Sequence, residues 1–201
     1  MCKPYRVALI GLIGLFGSPQ SSCWPQEPAR AKKPSRFRLG WPHRYLRAMK
    51  EPSLRELAEK DRTATAYRFL WLPAFHDPVS VRFVKSDQGV FLYTVRLKLD
   101  GKYRPVRIIR RKCVELKPVH WERIANHVAK ARFWALPTTQ REPFGWLTVD
   151  GHTLIVEGVS DGRYHIVVRH NPPGGNFVDL GQAMLFMSGT DVRKLWFEYR
   201  N

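Results

Sequence analysis

The sequence predicts an α+β fold, an antiparallel sheet of hairpins packed against two to three helices. Three observations carry it. Period-two apolar runs bounded by turn residues come in groups rather than singly; helical spacing appears before, between and after them; and Asp-Gly pairs sit where hairpins would turn. The resulting order of helix, strands, helix, strands, helix is that of an α+β chain, not of alternating βα units. With 201 residues, 44% hydrophobic content, 7 Trp, 11 Phe and 7 Tyr, the chain can bury one real core without disulfides.

The first 23 residues, MCKPYRVALIGLIGLFGSPQSSC, read as an export signal: two cations, an apolar run from Val7 to Phe16, then small and polar residues. That run is too short to span a bilayer as a helix, which takes roughly 20 residues. A periplasmic or secreted product is expected. Cys23 raises lipidation as an option, although Gln20, Ser21 and Ser22 lack the aliphatic residue that a lipoprotein site wants. If residues 7–16 were instead a buried strand, the chain would be cytoplasmic, and the cations that follow the run favour that alternative.

Residues 24–50 carry Pro25, Pro28, Pro34 and Pro42 with eight cations (Arg30, Lys32, Lys33, Arg36, Arg38, Arg44, Arg47, Lys50) against the single acid Glu27, and are expected to form an extended basic tether. Trp24, Phe37, Trp41 and Tyr45 are interleaved with them. The domain, residues 51–201, is expected to open with SLRELAEKDR, where Ser53 and Glu56 have capping-box spacing. Extended segments follow at 67–72, 80–85 and 90–99. A two-residue Asp100-Gly101 turn would set Val95 opposite Val106 and Tyr93 opposite Ile108, because a three-residue loop opposes like charges; Arg96, Lys98 and Arg107 then share an outer face.

Pro118 starts a helix whose Trp121, Ile124, Ala125, Val128 and Ala131 form one apolar stripe. Strands return at 145–149, 153–159 and 163–170, the first two joined by an Asp150-Gly151 turn. An apolar helix over 177–187 closes the core, and 191–201 has room for a short one. The paired motifs DGKY (100–103) and DGRY (161–164) hint at an internal duplication.

The richest stretch is TLIVEGVSDGRYHIVVRHNPP, residues 153–173. A two-residue turn would bury Glu157 beside Tyr164, Ile166 and Val168, at a cost for an unpaired carboxylate. A three-residue Ser160-Asp161-Gly162 loop moves Glu157 to the other face, opposite His165 and beside Arg163 and Arg169. Those four are either a general base, its orienting partner and two anion-binding arginines, or a solvated ladder of ion pairs. His120 and His127 share a helix face, but no carboxylate or cysteine completes a metal set, and no cofactor fingerprint appears. Cys113, beside Lys112, reads as a packed thiol.

The residues Glu157, Gly158, Tyr164, His165, Arg169 and Pro172, with ARFWALP at 131–137, resemble a family of small bacterial exported proteins that share a Glu-Gly, a turn, a Tyr-His, an Arg and a Pro loop. The likeness spans about residues 132–187; His170 stands where that family has an aromatic. It implies export and no established chemistry.

The net charge of +17 invites anionic partners. Loss of residues 1–23 would remove Lys3 and Arg6 and no acid, leaving +15, with Cys113 the only cysteine. A second basic block (Arg96, Lys98, Lys102, Arg104, Arg107, Arg110, Arg111, Lys112) is broken only by Asp100. The leading expectation is a non-enzymatic cell-envelope module that binds an anionic surface or partner. The alternatives are a hydrolase using Glu157 and His165, or a cytosolic nucleic-acid binder.

Overall fold

The computed structural model of the chain describes residues 42–139 and 151–190. The export signal, most of the tether, the expected strand at 145–149 and the helix at 191–201 lie outside them. The elements are α1 (Pro42–Ala48), α2 (Leu54–Lys60), β1 (Thr65–Pro73), β2 (Val79–Ser86), β3 (Gly89–Leu99), β4 (Pro105–Leu116), α3 (Pro118–Lys130), a 3-10 turn (Phe133–Ala135), β5 (His152–Ser160), β6 (Arg163–His170) and α4 (Asn176–Met187).

One six-stranded sheet runs in the order β4-β3-β2-β1-β5-β6 with every neighbour antiparallel. The α+β class with an antiparallel sheet is therefore what the chain adopts. β1 to β4 form a meander, after which the chain crosses through α3 and returns as β5 on the free side of β1. That return makes β1 central, and all but its first residue are buried.

Helices cover both faces. On one, α3 and α4 close over Tyr67, Phe69, Trp71, Val81, Phe83, Leu154, Val156 and Val167. On the other lie two apolar patches. α1 covers Leu70, Leu72, Val95, Leu97, Ile155, Ile166 and Val168; α2 covers Ala66, Val84, Phe91, Tyr93 and Val159.

Local sequence explains the helices. Ser53 Oγ accepts from the Glu56 amide at 3.2 Å, so the expected cap opens α2. Pro118 sits in the first turn of α3, with Trp121, Ile124 and Val128 buried. Residues 42–48, expected as the end of an extended tether, are a helix instead. Pro42 sets its start, and Tyr45, Leu46 and Met49 drive three apolar side chains into the sheet while the intervening cations stay outside.

Both hairpin registers differ from expectation. In β3–β4 the loop takes five residues: Asp100 Oδ1 accepts from the amides of Lys102 and Arg104 at 2.9 and 2.8 Å, and Tyr103 turns the chain at φ +57°. Tyr93 thus faces Cys113, Val95 faces Arg111, and Lys98 faces Arg107. The opposed cations are tolerated because Asp77, from the β1–β2 loop, reaches Arg96 and Lys98 at 3.8 and 3.5 Å. In β5–β6, Ser160 pairs with Arg163, leaving only Asp161 and Gly162 in the turn, both at positive φ (+53° and +68°), the type I′ pattern. DGKY and DGRY therefore make different turns.

Candidate functional site

The tight turn puts Glu157 opposite Ile166 and His165 opposite Gly158. The pair that sequence reasoning set side by side is split between the two faces of the sheet. Arg163, His165 and Arg169 do share a face, as expected; Glu157 is on the other, among apolar neighbours.

Glu157 survives burial because Arg68, at its own level on β1, donates from Nε to Glu157 Oε2 at 2.7 Å and also through Nη2. The next strand places Arg82 beside Arg68, and the next places Tyr93 beside Arg82, with Arg82 4.2 Å above the Tyr93 ring. Glu157, Arg68, Arg82 and Tyr93 so form a polar row across four strands, between the two apolar patches. Glu51, from the link between α1 and α2, drops onto this row: its Oε2 lies 2.9 Å from Arg82 Nε and 3.4 Å from Arg68 Nη1, and its side chain is wholly buried.

Pro52 O accepts a further bond from Arg68 Nη1 at 2.7 Å, and Tyr164 donates its hydroxyl to Glu157 Oε1 at 2.8 Å. Two carboxylates thus balance two guanidiniums. Burial alone would pull the Arg68 pKa down; Glu157 and then Glu51 more than reverse that, holding it above the ordinary arginine value. Burial first, and Glu157 second, push the Tyr164 phenol far above its usual range.

Chemically, this cluster holds charge in place. Both Glu157 oxygens are engaged and its side chain is 3% exposed, so it is turned away from any substrate in solvent. His165, on the opposite face, sits 5.0 Å from the Phe133 ring and 6.1 Å from Trp134, with Nε2 2.9 Å from Leu136 O. A carbonyl only accepts, so Nε2 carries the proton.

Arg169 donates to Pro137 O at 3.0 Å, Thr138 O at 3.3 Å and Val168 O at 2.7 Å, tying the segment after the 3-10 turn along β6. Gly158 completes the fit: a Cβ there would lie 2.6 Å from a Phe133 ring carbon. Arg163 is exposed, 5.1 Å over Trp134 and 3.8 Å from Asp161. Glu157, Gly158, Tyr164, His165 and Arg169 are thus each held by contacts within the fold.

Sequence reasoning missed Glu51, Arg68 and Arg82. A signal existed: Tyr67-Arg68-Phe69 and Val81-Arg82-Phe83 each set one arginine inside an otherwise apolar strand, where a charge needs a buried partner.

The second assembly is cationic. α1 packs beside β4, and Arg111 Nη2 donates to Met49 O at 2.8 Å. The described end of the first basic block, Arg44, Arg47 and Lys50, consequently lies at the same sheet edge as the second block, with α1 on one face and Arg107, Arg110 and Lys112 turned to the other. α1 and its end expose His43, Arg44, Arg47 and Lys50; the hairpin exposes Lys98, Lys102, Arg104, Arg107, Arg110 and Lys112. Arg96, Lys98 and Arg107 share a face as expected. Asp100 engages Arg104 at 2.8 Å and Asp77 engages Lys98, whereas Arg107, Arg110 and Lys112 have no ion-pair partner among the described residues.

No protein-family model matches the chain, and a search of curated proteins finds no significant match. Among the described residues, no three His, Cys, Asp or Glu side chains gather closely enough to hold a metal ion, and no helix is long and apolar enough to cross a membrane.

Proposed function

We propose that this chain is a non-enzymatic binding module of the cell envelope, exported by its N-terminal segment, which holds an anionic partner through the cationic surface of α1 and β4. The observation that carries the reading is the run of exposed cations along one sheet edge, where Arg107, Arg110 and Lys112 have no ion-pair partner among the described residues. Uncompensated cations of this kind raise the local concentration of anions and steer their approach. Against a hydrolase stands the separation of Glu157 from His165, each already committed to a structural bond.

The test is binding of the full chain to polyglutamate and to phosphatidylglycerol vesicles over a range of salt. A cation near an anionic surface is worth about 1 kcal/mol, so Arg107→Gln, Arg110→Gln and Lys112→Gln together should weaken binding by about a hundredfold at low salt. Equal binding by the triple variant would sink the reading. The export half is tested separately: intact mass of the protein from fractionated cells should show loss of about the first 22 residues.

A further inference from the structure

We propose that β4 accepts an extended acidic polypeptide as a seventh strand of the sheet. This rests on the cationic surface being the binding surface, and it names the partner. The two sheet edges are treated differently. At β6 the edge is already occupied: Val168 N donates to Thr138 O at 2.7 Å, Thr139 bridges Val168 in parallel, and the side chains of His165 and Arg169 clamp the same segment. At β4, twelve residues long and last in the strand order, no segment pairs with the outer side among the described residues.

An edge strand presents a row of backbone donors and acceptors ready for another chain. The side chains along β4 decide which chain. Arg107, Arg110 and Lys112 outnumber the one exposed acid of the strand, Glu115, so a second copy brings an excess of like charge to the edge and self-pairing is disfavoured. An acidic strand reverses that sign and finds along the edge three cations that have no ion-pair partner among the described residues. Val106 and Ile109, 59% and 38% exposed, give its apolar side chains somewhere to rest. Residues 105–116 contain no aromatic side chain on which bases could stack, so a single-stranded nucleic acid fits the edge less well.

The experiment uses the full chain and two labelled synthetic peptides of alternating Glu and Thr. One is unmodified; in the other, consecutive central amides are N-methylated so that neither edge can pair. The unmodified peptide should bind at least about tenfold more tightly and slow amide hydrogen exchange within 105–116. Equal binding of both peptides with no slowing would overturn strand addition while leaving the anion-binding reading intact. Binding to phosphatidylglycerol vesicles but to neither peptide would overturn it in favour of a lipid surface, and binding to none of these probes would remove both readings.

Discussion

At Glu157 a carboxylate is made tolerable inside an apolar layer by one guanidinium from β1 and one phenol from β6. Such a pair is worth little against an apolar substitute, yet breaking it is expensive, because the surviving charge stays buried. Glu157→Gln should therefore destabilise the fold by about 3–5 kcal/mol in urea unfolding, while Arg68→Met with Glu157→Leu should recover most of that loss. If the double replacement is as damaging as the single one, the unpaired charge is not the cause. The same site shapes the pH dependence. The Tyr164 pKa is raised in the fold, so its contribution is fully present below the unfolded value of 10.0 and is lost as pH rises above it. Burial lowers the His152 pKa, so its contribution is present above 6.5 and lost as pH falls below that. The urea midpoint should form a plateau between those limits, and Tyr164→Phe should flatten part of its alkaline side.

Between elements, the tightest constraint is where β5 passes beneath the 3-10 turn. Gly158→Ala would press a methyl group against Phe133, with Tyr67 at 3.1 Å, and should cost about 1–3 kcal/mol, read as a fall in Tm. The strand positions that fall within the described residues, the cap on α2 and the Pro118 helix were legible, because each is decided within a few residues. Turn lengths were not. A two-strand view rejected a buried Glu157, since its partner Arg68 lies 89 residues upstream. It likewise rejected opposed cations on β3 and β4, since Asp77 enters from a loop belonging to neither strand. Both errors have one physical origin: the compensating charge comes from a third element. The helical α1 escaped notice for a related reason, its three apolar side chains gaining their worth only from a sheet built later in the chain. A chain shortened to begin at Ser53 would lose those three side chains together with Glu51. It should lose cooperative unfolding, whereas one beginning at Trp41 should keep it, as followed by circular dichroism.

Over the whole molecule the balance is +17, with 34 Lys and Arg against 17 Asp and Glu, and four of those acids are committed to the ion pairs described above: Glu51 and Glu157 in the buried row, Asp77 and Asp100 beside the β3–β4 hairpin. The remaining cations repel one another in the folded state. Raising salt from about 10 mM to about 300 mM shortens the screening length from roughly 30 Å to below 10 Å, so the urea midpoint should rise. A falling midpoint would mean that surface ion pairs outweigh the repulsion. The buried row also has a bearing on the order of events in time. Glu51 leaves the ribosome long before Glu157, yet the cluster they share closes only once β5 has reached β1. Glu51 meets Arg68 and Arg82 within 31 residues, but the row stays one carboxylate short until Glu157 arrives 89 residues after Arg68, a long-range closure of the kind that slows folding. Such a delay leaves the chain threadable while it is being made.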